Sequence, residues 1–116
     1  MKKFLKFWLP AILWAAFIFC LSAIPHLKSG FACDFILRKM AHVTEYFVLA
    51  FFLYRAIKNF FMTSVLYAVS DEIHQLFVPG RHGSPNDVLI DMIGIVCFYL
   101  MIKLIQYRMA ARDLRA

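Results

Sequence analysis

Four mostly apolar stretches, Phe7–Ile24, Met40–Ile57, Phe60–Val78 and Val88–Ile105, alternate with short polar connections along this chain. Crossing the hydrocarbon of a bilayer takes about 20 predominantly apolar residues at 1.5 Å rise each, and every stretch comes close to that length. The pattern predicts helices over about residues 5–24, 35–57, 59–78 and 85–107. Together they make an all-α, polytopic bundle of four transmembrane helices, occupying 1–116 as a single domain. Pro25 closes the first span because it has no N–H to donate into a further turn. A polar, glycine-containing loop, His26–Cys33, follows, and Asp34 is placed to cap the second helix. The short basic turn from Arg55 to Asn59 makes the second and third helices antiparallel neighbours. Pro79-Gly80-Arg81-His82-Gly83-Ser84-Pro85 reads as a tight turn. Ser84 and Asp87 have capping-box spacing, with Asp where Glu or Gln is usual, and Pro85 suits the first position of the fourth helix.

The polar positions inside these stretches are not scattered. On the second helix Arg38, His42, Glu45, Tyr46 and Leu49 fall on one arc by the i, i+3, i+4 rule. On the third, Ser64, Ala68, Asp71 and Gln75 form a stripe of small and polar residues with Glu72 beside it. On the fourth, Asp87, Asp91 and Gly94 repeat the pattern. Glu45 lies about nine ångström below the start of its helix, and Glu72 and Asp91 lie at a similar depth. Each charge near mid-membrane costs about 2.5–3.5 kcal/mol on insertion scales, so these groups are expected to face one another, basic partners or water rather than lipid. Three polar arcs at one level predict a pocket open at one face of the membrane.

Charge decides which face. Lys2, Lys3, Lys6, Arg55, Lys58, Lys103, Arg108, Arg112 and Arg115 collect at one end of the set. The other end has Lys28, Arg38, Lys39 and Arg81, all four histidines, and six of the seven acids. The positive-inside rule makes the first end cytoplasmic, with both termini there and the polar layer facing outside. A composition of 63% hydrophobic residues, with 13 Phe among 116, is too apolar for an ordinary soluble domain. The net charge of +6 comes from scattered loop positions that anionic lipid explains, and no reading motif suggests nucleic acid. The run after Lys2 and Lys3 is longer than a signal-peptide core and lacks an A-x-A site, so an uncleaved first span is expected. Cys20, Cys33 and Cys97 show no metal-ligand spacing; Cys20 and Cys97 are expected to pack as small hydrophobes and Cys33 to be a loop thiol. The many Phe are expected as lipid-facing bulk.

Three motifs carry a resemblance. Lys39-x-x-His42-x-x-Glu45-Tyr46, Asp71-Glu72-x-x-Gln75-x-Phe77-x-Pro79-Gly80-Arg81, and Ser84-x-x-Asp87-Val88-x-x-Asp91-x-x-Gly94 occur in order, and over about residues 22–98 the chain resembles the VanZ-like family. These are small bacterial membrane proteins named for a member linked to low-level teicoplanin resistance. The resemblance implies a bacterial cell-membrane location and a contribution to glycopeptide resistance. It departs at Asp91, where the family pattern has Asn, which here adds an ionisable group.

Candidate chemistry follows from the polar layer. His42 and Glu45 suit a general acid/base pair, two metal ligands, or a pair that satisfies itself at a helix start. Asp71 and Glu72 are either acid/base groups or, with Gln75, interhelical hydrogen-bonding groups. Lys39, Tyr46, Gln75, Arg81, Asp87 and Asp91 are candidate substrate-binding residues; Arg81 would grip phosphate or carboxylate bidentately, or pair with Asp87. His26, His74 and His82 read as structural or surface residues. His42, Glu45, Glu72 and Asp91 would offer a mixed nitrogen and oxygen set for zinc or manganese, but no HExxH-like signature accompanies them, and neither metal nor cofactor is expected. The leading expectation is a pocket that binds or processes the polar head of a cell-envelope lipid or lipid-linked wall precursor. Any reaction would be hydrolysis or transfer at a phosphoester or acyl bond, without a Ser or Cys nucleophile. The alternatives are a small proton-coupled transporter, which would need access from both sides, and a non-catalytic scaffold.

Overall fold

The computed structural model describes residues 1–24, 34–80 and 85–116. Its elements are α1 (Lys2–Ser22), α2 (Asp34–Ala56), α3 (Phe60–Leu76) and α4 (Pro85–Arg115), each beginning within three residues of the expected start. Pro85 is the first helical residue of α4, where its missing N–H costs nothing. The C-terminal end differs most. α4 runs to Arg115, past the expected stop at 107, because Met101 to Arg115 contains no Gly or Pro to break it and is rich in strong helix formers. The readings that rest on Pro25 to Cys33 and on Arg81 to Ser84 lie outside the described residues.

The helices run alternately up and down. Arg55 near the end of α2 sits over the Phe7 ring near the start of α1, at 5.4 Å. Trp14 donates its indole N–H to the Glu45 carbonyl at 2.9 Å, and Gln75 on α3 reaches Ser22 at the end of α1. Gln106 on α4 reaches Tyr54 near the end of α2. Both termini therefore lie at the same end, the basic one. α2 and α3 are the central pair; α1 and α4 each pack on both and do not meet among the described residues. Removing the Trp14 bond with Trp14→Phe is expected to cost about 1 kcal/mol, read as a small drop in thermal unfolding temperature in detergent.

The packing inverts that of a soluble bundle. Ser22, Ser64, Asp71, Glu72, Gln75 and Asp91 are buried, while Leu13, Leu66, Ile73, Leu89, Ile93 and Leu100 are exposed. An apolar exterior of this extent favours lipid over water. α1 and α4 are each long and apolar enough to cross a membrane. α3 has 17 residues, about 26 Å at 1.5 Å each, somewhat short of a hydrocarbon core of about 30 Å. α2 is diluted by Arg38, Lys39, Glu45 and Arg55. The expectation of four spans is thus met by length and composition in two helices.

At the basic end the core is aromatic. Phe98 is fully buried and packs against Phe47, Phe51, Tyr54 and Phe60 at centroid distances of 5.5–6.0 Å, mostly edge to face. Phe was expected as lipid-facing bulk; Phe60 and Phe98 instead fill the interior, because a ring can bridge helices that a Leu would leave apart. Cys20 and Cys97 are exposed rather than packed. They lie on the outward arcs of helices whose inward arcs are Ile18 and Ser22, and Asp91, Gly94, Ile95 and Phe98.

Toward the other end the helices close up. An added Cβ on Gly94 would lie 2.2 Å from the Val43 carbonyl oxygen and 3.0 Å from the Phe47 nitrogen. A glycine there lets α4 touch the backbone of α2, the usual role of small residues in helix pairs within lipid.

Candidate polar site

The close approach at Gly94 fixes what lies one and two turns before it on α4. Asp91 projects from the same face and meets His42, whose Nδ1 is 3.0 Å from Asp91 Oδ1. Asp87, a turn earlier, is ion-paired with Lys39. The i, i+4 ladder on α4 (Asp87, Asp91) thus faces an i, i+3 ladder on α2 (Lys39, His42), and the tight crossing at Gly94 sets the register. Asp91 is fully buried and the His42 side chain is 18% exposed.

A second set joins α2, α3 and α1. Tyr46, one turn below His42 and fully buried, donates its hydroxyl to Asp71 Oδ2 at 3.1 Å. Gln75 Nε2 lies 3.4 Å from the same oxygen and 3.4 Å from Ser22 Oγ. Ser64, Ala68, Asp71 and Gln75 are all buried, as the small-and-polar stripe predicted. Ser64 donates its hydroxyl back to the Phe60 carbonyl at 2.7 Å, so its own hydrogen is satisfied within α3. Tyr67 bonds the Ala15 carbonyl and stands 6.2 Å from the Tyr46 ring.

The two sets are neighbours: the Asp71 carboxylate lies within electrostatic reach of Asp91, and both reach Tyr46. His42 is likewise within reach of Glu45 and Asp87 as well as Asp91. Of the buried side-chain atoms that have no hydrogen-bond partner among the described residues, two belong to this cluster, Asp71 Oδ1 and Asp91 Oδ2. A buried polar atom left unsatisfied costs about 1–3 kcal/mol. Two within one connected cluster is the feature that most needs an occupant.

The expected site residues are therefore sorted as follows. Lys39, His42, Tyr46, Asp71, Gln75, Asp87 and Asp91 come together at one end of the bundle. His42 was paired with Glu45 on spacing; the bond it makes is to Asp91 on the facing helix. Glu45 is half-buried, with its backbone carbonyl taken by Trp14. Glu72 is 5% exposed and lines a groove of about 500 Å³ between α3 and α4, among Val69, Ile73, Leu76, Val88 and Leu89. Arg81 lies outside the described residues. Among the described residues no group of three or more His, Cys, Asp and Glu side chains is arranged to hold a metal ion. His74 stacks on Phe19 at 4.2 Å, a packing role as expected. Ser22 joins the site through Gln75 without having been among the expected residues; its signal in the sequence is a lone hydroxyl one turn inside the polar end of an apolar run.

A family model described as VanZ/LLP1 matches residues 7–106 of the chain, a wider span than the three motifs cover. No curated protein and no solved structure matches it.

Proposed function

Because this chain belongs to the VanZ-like family, we propose that it is a four-span protein of the bacterial cell membrane, and that its polar layer holds the head of an envelope lipid or lipid-linked wall precursor. The observation that carries this reading is the pair of unsatisfied buried carboxylate oxygens, Asp71 Oδ1 and Asp91 Oδ2. Both are acceptors, so the group that completes them is a donor. Sugar hydroxyls and amides, the polar groups of a lipid-linked saccharide, are donors; a bare phosphate at neutral pH offers few or none. With the basic end placed in the cytoplasm, the layer opens outside, where such precursors are consumed. The family association with teicoplanin resistance is consistent with a protein that engages a wall precursor in that compartment.

The test is direct. Purified protein in neutral detergent is titrated with a polyprenyl-diphosphate-linked disaccharide and, as a headless control, with polyprenyl phosphate. The saccharide-bearing lipid is expected to be retained at least tenfold more strongly. In cells, His42→Ala and Asp91→Leu are expected to raise susceptibility to teicoplanin to the level of a deletion. Equal retention of the two lipids, together with variants of unchanged susceptibility, would reject the proposal.

One observation favours a catalytic version. A carboxylate on Nδ1 holds an imidazole ring in place and leaves Nε2 as the nitrogen to face a substrate, the arrangement in which histidine acts as a general base. Asp91 stands in that relation to His42. On this version His42 takes the proton of a water or hydroxyl that attacks the head's phosphoester or acyl bond, and Asp91 positions the ring. Release of the saccharide from the lipid probe, lost in His42→Ala, is the expected readout; intact probe after prolonged incubation leaves binding as the function.

A further inference from the structure

At the far end of the bundle from the polar layer, a cavity of about 330 Å³ lies where the α2–α3 turn meets α4. Its polar lining is Tyr54, Lys58, Asn59, Lys103 and Gln106, and no Asp or Glu lines it. The geometry points to a binding site for the phosphate of an anionic glycerophospholipid at this end, formed by Lys58 of the α2–α3 turn and Lys103 of α4. It does not rest on the function proposed for the polar layer.

Each wall contributes a distinct donor. Lys58 comes from the turn and Lys103 from α4, with its ammonium 5.5 Å from the Tyr99 ring centroid. Gln106 Nε2 lies 3.4 Å from the Tyr54 hydroxyl oxygen; with that oxygen accepting, the phenol's own hydrogen is left to point at a ligand. The Asn59 side chain makes no capping bond to the first turn of α3, so its carboxamide is available as well. Two ammonium groups, a phenol and a carboxamide around one space, without a carboxylate, complement an anion. Lysine serves phosphate as a point charge, without needing the planar fork of arginine.

The surroundings select a lipid over soluble phosphate. Met62 lines the cavity, and one turn further along α3 Leu66 continues an apolar strip; both are exposed, at 59% and 62%. A headgroup in the cavity would lay its acyl chain along that strip. Juxtamembrane basic residues are drawn toward an anionic leaflet as a whole. This site would convert part of that diffuse attraction into a fixed position.

The full chain in neutral detergent, titrated with phosphatidylglycerol or phosphatidylcholine and read by native mass spectrometry, tests this. Phosphatidylglycerol is expected to be retained at least tenfold more strongly. The variant K58Q/K103Q is expected to erase the preference and K58R/K103R to restore it. A charge-matched variant away from the cavity, K3Q/R112Q, is expected to keep it within twofold. Should the double variant not fold, by circular dichroism, Lys58→Gln and Tyr54→Phe singly are expected to weaken retention at least threefold each. A preference that survives K58Q/K103Q or both single variants, or that falls equally in K3Q/R112Q, overturns the site. Displacement of phosphatidylglycerol by an equal concentration of glycerol phosphate overturns the assignment to lipid.

Discussion

Gly94→Ala is expected to lower the thermal unfolding temperature of the purified protein more than any other single methyl added to the chain, and to reduce its yield in membranes. The added carbon would sit 2.2 Å from the Val43 carbonyl oxygen, well inside van der Waals contact. That oxygen belongs to the α2 backbone, so no side chain can swing aside; α2 and α4 must separate. Overpacking a close contact costs typically 1–3 kcal/mol, occasionally more, and replacing glycine by alanine inside a helix returns about 1 kcal/mol at most. A 2.2 Å approach to rigid backbone belongs at the upper end of that range, so the steric effect wins, with a net loss of up to about 2 kcal/mol. Separation also lengthens the distances between Asp91 and His42 and between Asp87 and Lys39, which hang on the same crossing. Headgroup retention is therefore expected to fall along with stability. The comparison is Ile93→Ala, next door on α4 but 52% exposed, whose unfolding temperature should change little. Equal effects at the two positions would show that the contact at Gly94 does not set the separation of α2 and α4.

How far the sequence revealed this arrangement depends on the kind of information asked for. The existence of four helices was legible, because each is an apolar run bounded by Pro, Gly or charge, and the termini of such runs are strong local signals. The inward arcs were also legible. Ser64, Ala68, Asp71 and Gln75 repeat at helical spacing, and they are buried together. Pairing across helices was not. Spacing could associate His42 with Glu45, since both lie on one helix; it had no means of setting the register that brings Asp91 opposite His42 instead. That register follows from Gly94 against Val43, a contact 51 positions apart in the chain. The interior role of Phe60 and Phe98 was hidden for a related reason, since an aromatic residue in an apolar run suits lipid and core equally. The length of α4 was missed because nothing in a basic amphipathic tail says where a helix stops once it has left the bundle.

Asp91→Leu and Asp91→Asn are expected to part company, and the difference reports what sits in the polar layer. Leucine repeats the branched outline of aspartate but is bulkier, so at this fully buried position it adds an overpacking cost of about 1–3 kcal/mol while both carboxylate oxygens are lost. His42 Nδ1 then has no acceptor opposite it, which costs about 1–3 kcal/mol for a buried group, and the acceptor offered by Oδ2 disappears. Retention of the polyprenyl-diphosphate-linked disaccharide should fall at least tenfold, equivalent to about 1.4 kcal/mol. Asparagine keeps one oxygen for His42 and places an N–H₂ group where Oδ2 stood. A sugar hydroxyl can turn from donor to acceptor and bond to that group, so retention is expected to stay within threefold and stability to be nearly unchanged. An ammonium group on the lipid head could not make that exchange, since it has no acceptor; with such a head, asparagine would be as damaging as leucine. Equal, large losses in the two variants would therefore replace a hydroxyl-bearing head with a cationic one. No loss in either would remove Asp91 from the site and leave its bond to His42 as a packing device.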